Sequence, residues 1–430
     1  MSTTTKSGAG LTTATGSRLR DAVLGLQLRA VGPLGTALTK GDPLGTVLFK
    51  PAESLAAYEQ VREAGAFYRS RRLNSWVTAK HAVGTRILRD RSLLMRRRNG
   101  RAASTVMDKI HWDPSILQLD PPDHTRHRRL AQPAFTPRKI AEYRVEVERV
   151  CHRLLDEAAR RGHFDLVEDY AGPLPITVIG QLLGIRDEDR ALFLRHGRAI
   201  GAMVDGLSSL PMAREFQHAQ TAYRRMLAEL IEVRRAKPAD DLVTVLTAAH
   251  DEGTLTENEL LALCMILAIT GFETTTNLIS TATLALLENP EQMALFRDDP
   301  DLAPRVVEEA LRYDAPIRLV SRFTHEEIEI DGHRIPPDGA LVVLINAANH
   351  DPEVFPDPHR FDISRDGQGD HLSFAAGIHY CIGAPLARME ADVALRVLTE
   401  RMPRLRLAGA CVRRNTAIIS GPRVLPLAVS

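Results

Sequence analysis

The sequence predicts a mainly α-helical protein with a small β portion, and three observations lead there. Amphipathic segments rich in Arg and Glu recur around 52–64, 140–161, 187–199, 212–235 and 301–312. Apolar residues return in them at helical spacing. A longer segment, 256–289, is apolar on all sides over its first half, which places it in the middle of the fold. Strand-like runs are few and short, at 67–77, 328–335, 340–345 and near the C-terminus. They do not alternate with helices and no repeat of fixed period occurs, so neither a parallel α/β sheet nor a solenoid is expected.

Composition narrows the function classes. The chain has 430 residues, 44% of them hydrophobic, enough for a large core. Lys and Arg total 55 against 54 Asp and Glu, a balance that argues against a dedicated nucleic-acid binder. Cys151, Cys264, Cys381 and Cys411 are far apart and form no C-x-x-C pair. A reducing, cytoplasmic setting therefore fits better than disulfides or zinc. The N-terminus carries no apolar leader, and the longest apolar stretch, 260–269, is about half a membrane span. No transmembrane anchor is expected. Residues 1–45 read as an N-terminal extension, disordered over 1–16, with a loosely attached helix within 17–40. Residues 46–430 read as one domain, β-rich near 50–85, 317–345 and 405–430.

The central helix can be delimited closely. Thr256 and Glu259 form a capping box ahead of the apolar run, and Asn289-Pro290 ends it. Its middle holds a polar interruption, Thr270-Gly271-Phe272-Glu273-Thr274-Thr275-Thr276. A carboxylate in a core is costly unless paired or hydrated. The plainer reading is a mild kink with threonine hydroxyls bonded to the preceding turn; the sharper one is a functional site.

A second constellation lies near the C-terminus: Phe374-Ala375-Ala376-Gly377-Ile378-His379-Tyr380-Cys381-Ile382-Gly383. Buried free cysteines are usually inert. This one is framed by two glycines that let backbone approach a flat partner, and His379 can supply positive charge. Ala384-Pro385 opens a helix, whose N-terminus favours a thiolate. A thiolate opposite an open iron position favours O–O cleavage.

The segment resembles the haem-binding signature of cytochrome P-450 monooxygenases, F-x-x-G-x-[HR]-x-C-x-G, with Ala375 where that family more often has Gly. Four further motifs agree in order. Asp120-Pro-Pro-Asp-His124-Thr-Arg-His-Arg128 resembles the haem-propionate helix of soluble bacterial members. Thr270 to Thr275 resembles the oxygen-activation motif, departing only at Thr270. Glu309-Ala-Leu-Arg312 resembles E-x-x-R, and Pro358-His-Arg360-Phe361 resembles P-x-R-F. A lone ExxR is common on solvated helices. Here Glu309 and Arg312 can pair on one face, with Arg360 expected to complete the network.

The resemblance implies a P-450 fold whose long central helix crosses over haem b (iron protoporphyrin IX). Cys381 is the implied axial ligand. Ala268 and Gly271 of the helix, with Phe374, Gly377 and Gly383 of the ligand loop, are the implied haem contacts. His124, Arg128, Arg322 and His379 would bind the propionates; the plainer reading of Arg322 is an exposed strand arginine. Glu273 and Thr274 would pass protons during activation of O2. The implied reaction is hydroxylation or epoxidation of a hydrophobic substrate touching Ile317, Leu319, Val320, Ile418, Ile419 and the loop 93–111. Arg96, Arg97, Arg98 and Arg101 in that loop read first as a solvated face, and more sharply as a greeting for an anionic substrate or phosphate-bearing carrier. The chain shows no flavin fingerprint and no cysteine cluster, so electrons are expected from a ferredoxin and ferredoxin reductase. Arg126, Arg129 and Arg388 are the expected docking patch. A peroxygenase using H2O2 and a non-catalytic haem-thiolate sensor are the alternatives. The first is disfavoured by the acid–threonine pair, the second by the lack of an output domain.

Overall fold

Several helix starts follow from single side chains. Asp42, Ser209, Asp241 and Thr256 each accept an N–H from the first turn of the helix they precede, which satisfies donors that have no partner inside the helix. The computed structural model describes residues 33–101, 115–201 and 209–429. The expectations for residues 1–32 and for the 102–111 part of the loop lie outside the described residues. The N-terminal helices are α1 Pro43–Phe49, α2 Ser54–Glu63, α3 His81–Arg89 and α4 Asp123–Ala131. Next come α5 Pro137–Arg161, α6 Pro173–Leu183, α7 Arg190–Gly201, α8 Leu210–Ala236 and α9 Leu242–Asp251. The C-terminal half adds α10 Glu257–Glu288, α11 Pro290–Asp298, α12 Ala303–Tyr313 and α13 Ala384–Arg401. All five amphipathic segments are helices, with ends shifted by a few residues, as expected where termini fray.

Helix α10 is the predicted central helix, with the Thr256–Glu259 capping box formed in both directions. It packs against α6, α7, α12 and α13. Among the described residues it is the one helix long and apolar enough to cross a membrane, and 78% of its most apolar window is buried inside the molecule.

The β portion forms one principal sheet of β1 Tyr68–Ser70, β2 Ser75–Thr78, β3 Leu93–Leu94, β5 Leu319–Thr324 and β8 Ala340–Leu344. Its order is β1-β2-β8-β5-β3, and only β2–β8 is parallel. Strand β8 is buried at every position. Leu341 and Val343 enter the core around Phe67 and Ile87, while Val342 and Leu344 enter the one around Leu44, Val47 and Tyr58. A strand covered on both faces reads as a continuous apolar run. Two runs expected as single strands are hairpins. The 67–77 run turns back between β1 and β2, and 328–335 splits into β6 Ile328–Ile330 and β7 His333–Ile335. Asp331 and Gly332 between the latter both have positive φ, the backbone of a tight hairpin turn. At the other end, β4 His163–Asp165, β9 Leu405–Leu407 and β12 Pro426–Val429 form a three-stranded sheet, and β10 Val412–Arg413 pairs with β11 Pro422–Val424.

Candidate active site

The cysteine loop is built by backbone constraints. Ala375 (φ 57°) and Gly377 (φ 70°) both take the left-handed conformation, and the Cys381 N–H donates to the Phe374 carbonyl at 2.9 Å. A Cβ on Gly377 would come 2.3 Å from the Leu88 carbonyl oxygen. That glycine therefore allows the loop to pass close by the end of α3. Beyond the cysteine, the N–H groups of Gly383 and Ala384 at the start of α13 point at the sulfur. Burial pushes the Cys381 thiol up, opposed by those N–H groups and by Arg128 and Arg388. Protein surrounds the side chain, yet it is exposed.

A cluster of basic side chains lies beside it. His124 and Arg128 stand one turn apart on α4, Arg322 comes from β5 and His379 from the cysteine loop. The two imidazole rings are 4.2 Å apart, and each leaves a buried Nε2 without a hydrogen-bond partner. Arg322 is buried, not an exposed strand arginine, and donates to the Ser321 carbonyl. Burial, then Arg128, His127 and Arg322, brings His124 down to about 4. Burial, Arg322, His124 and Arg128 bring His379 to about 3. Burial lowers Arg322 to about 10 against the pull of Asp120. Four basic side chains, two of them with orphaned ring nitrogens, suit a dianion. The two propionates of haem are such a group, so the residues present fit it.

Central helix α10 is least enclosed at three positions. Between Leu260 and Leu286 every residue is buried except Thr270, Gly271 and Thr274, which are half-buried and share one face by their spacing. The helix is continuous. Thr270, Thr274, Thr275 and Thr276 bond back to the carbonyls of Ile266, Thr270, Gly271 and Phe272, the hydroxyl arrangement of the plainer reading. Glu273 is buried and ion-paired with Arg414. The Arg414 Nε also donates to Asn277 Oδ1 at 3.1 Å, and Asn277 Nδ2 donates to the Glu273 carbonyl at 2.8 Å. Of the two expected haem contacts on this helix, one is enclosed and one is half-open. Ala268 is fully buried in the helical core, and a Cβ on Gly271 would sit 2.9 Å from Ile179 Cδ1 on α6.

Of the expected substrate contacts, Ile317 and Ile419 form a β-bridge, and Arg318 N–H donates to the Ile418 carbonyl at 2.8 Å. The two segments do meet. Ile419 is fully buried, however, so Ile317 and Ile418 are the half-open pair. Leu319 and Val320 alternate across β5 and pack into different cores, so they cannot both face one pocket. In the arginine run, Arg96 donates to the Gln118 carbonyl and Arg97 to that of Asp338, with the Arg97 guanidinium over Phe323. Those two are packed; Arg98 and Arg101 are exposed.

The expected docking patch is corrected. Arg126 is held by Asp123, Glu259 and the Thr254 carbonyl, and Arg388 by Glu308. Only Arg129 of the three is exposed. Arg360 is corrected too. Its side chain is 58% exposed and 4.0 Å from Asp362, and only its carbonyl meets Arg312. Arg312 and Glu309 are fully buried and joined by two 2.8 Å bonds. Arg365 is the third member, donating to Glu309 at 3.3 Å. Arg365, Arg414 and Glu308 carried no spacing signal in the sequence, because their partners lie on other elements.

Comparison with known proteins agrees with this geometry. Residues 85–301 and 297–401 match the family described as Cytochrome P450. A putative cytochrome P450 140 from Mycobacterium tuberculosis is 35% identical over 93% of this chain and 94% of its own. The 6-deoxyerythronolide B hydroxylase of Saccharopolyspora erythraea is 42% identical over 72% of this chain and 76% of its own. Among solved structures, P450BioI in complex with an acyl carrier protein ligated to hexadec-9Z-enoic acid superposes with a TM-score of 0.80. It is 32% identical, with 88% of this chain and 98% of that one covered.

Proposed function

The chain belongs to the cytochrome P450 family of haem monooxygenases, and from that premise we propose that it oxidises a hydrophobic organic substrate with electrons from a ferredoxin. The observation that carries the site assignment is the exposed Cys381 beside four basic side chains with two orphaned imidazole nitrogens. Cys381 would hold the haem iron, and His124, Arg128, Arg322 and His379 the propionates. The haem is of the b type, since the sequence has no C-x-x-C-H for covalent attachment. When bound, it supplies oxygen activation and transfer of one oxygen atom to substrate. The protein positions its reacting partners and moves protons. Thr274 is a half-open hydroxyl on α10, one residue from Glu273. A proton passing from Glu273 toward Thr274 requires the carboxyl to leave Arg414.

The substrate would lie against Thr270, Thr274, Ile317 and Ile418, two aliphatic side chains facing two hydroxyl-bearing ones, and small-molecule sites usually combine apolar walls with a few polar groups. The hydroxylase relative named for 6-deoxyerythronolide B supports a bulky organic substrate. A cytoplasmic enzyme supplied by a ferredoxin and its reductase fits four scattered cysteines that cannot hold an iron–sulfur centre. Arg129 remains the exposed candidate for partner contact. The test is ferredoxin-driven turnover over a panel of hydrophobic compounds that shift the ferric spin state. Thr274→Ala should retain haem and substrate binding but divert reducing equivalents to peroxide. Coupled, full-rate turnover in that variant contradicts the proton-relay assignment. Turnover sustained by peroxide alone, indifferent to ferredoxin, would favour the peroxygenase alternative.

A further inference from the structure

We propose that Arg388 is a positioning residue for the haem ligand: one guanidinium fastens both flanks of the Cys381 loop to helix α12. The proposal rests on Cys381 being the ligand. Arg388 lies in the second turn of α13. Its Nε and Nη2 donate to the two oxygens of Glu308 at 2.5 and 3.0 Å, a bidentate fork. Its Nη1 donates to the Tyr380 hydroxyl at 3.0 Å, one residue before the cysteine. Its guanidinium carbon stands 4.5 Å from the centre of the Phe374 ring, whose residue accepts the Cys381 N–H. One side chain thus touches the loop at its entry and just before its ligand.

The anchor is stiff. Glu308 also lies 3.3 Å from His371 Nε2, in the segment that leads into the loop. It adjoins Glu309, whose pair with Arg312 is fully buried. The carboxylate of Glu308 therefore joins α12, the approach to the loop and α13. Holding these together keeps the Gly383 and Ala384 N–H groups aimed at the sulfur.

This role uses the shape of arginine and not only its charge. Lysine would retain a cation but lose the two-pronged bond and the planar contact with Phe374. A docking role predicts the reverse. Arg388 is already neutralised and two-thirds buried, and a lysine would serve as well for steering an acidic partner.

The test compares holoproteins of wild type, Arg388→Lys, Glu308→Gln and the double variant. The readout is the rate at which the ferrous carbon monoxide complex loses its thiolate-type band in mild urea. Arg388→Lys and Glu308→Gln should each convert roughly tenfold faster than wild type. The double variant should convert no faster than the quicker single one, because both remove the same link. Conversion of Arg388→Lys at the wild-type rate, or additive effects in the double variant, overturns the proposal. Both single changes conserve side-chain size, so folded holoprotein is available even if Arg388→Ala fails to fold. A wild-type holoprotein with no thiolate-type band would instead remove the ligand assignment, and the proposal with it.

Discussion

Ala375 occupies a left-handed conformation, φ 57°, that disfavours any residue with a Cβ by about 1–2 kcal/mol. Ala375→Gly should therefore stabilise the protein by about 1 kcal/mol, read from the urea midpoint. A loss would mean that the methyl's contact with the Phe67–Ile87 core outweighs the backbone strain. A second residue-level consequence concerns Glu273 and Arg414, 11% and 15% exposed. Breaking a buried pair leaves one charge uncompensated, at about 3–5 kcal/mol. Glu273→Gln or Arg414→Gln should each cost stability in that range, and the double change should cost much less than their sum. Simple additivity in denaturant melts would refute the pairing. The sequence made Glu273 conspicuous, as a carboxylate inside an apolar helix. Its counterion was invisible, because Arg414 reaches it only through the folding of a distant hairpin. Arg360 and Arg365 teach the same lesson. The motif located the right backbone, whose Arg360 carbonyl does meet Arg312, but side-chain direction picked Arg365.

Along single elements, periodicity and caps were informative and turns less so. The capping box and Asn289-Pro290 fixed α10 to within a residue at each end. The Asp331-Gly332 turn was present in the sequence but sat between isoleucines spaced like those of a strand, so one strand was expected where a hairpin formed. Helix α13 holds a feature that its apolar stripe concealed. Glu390 is 1% exposed, and one of its carboxyl oxygens has no partner. Burial holds it protonated well above the ordinary carboxylate range. Unfolded, it ionises near pH 4.3, about the model-peptide value. Above that pH the folded state binds a proton that the unfolded state has lost. Stability then falls as pH rises, by up to about 1.4 kcal/mol per unit, until the folded group ionises. Glu390→Gln should abolish this slope and melt higher than wild type at pH 7. An identical slope in both proteins would show that the group is not held protonated.

For the molecule as a whole, the buried Glu309–Arg312–Arg365 network ties α12 to the segment approaching the cysteine loop. Arg312 also bonds the carbonyls of Asn349, Pro358 and Arg360. Arg312→Ala removes the bidentate partner of a fully buried carboxylate and leaves it only Arg365, at a cost of up to about 3–5 kcal/mol, a large share of the stability of a typical domain. The expected outcome is loss of soluble, haem-loaded protein with normal turnover in whatever folds. Well-folded holoprotein at wild-type yield would contradict a structural role. The central claim is that Cys381 binds haem iron as a thiolate. The most direct measurement is the ferrous carbon monoxide spectrum of wild type beside Cys381→Ser, Cys151→Ser, Cys264→Ser and Cys411→Ser. The account predicts the red-shifted thiolate band in every protein except Cys381→Ser. Retention of that band in Cys381→Ser, or its loss in one of the other three, would contradict it.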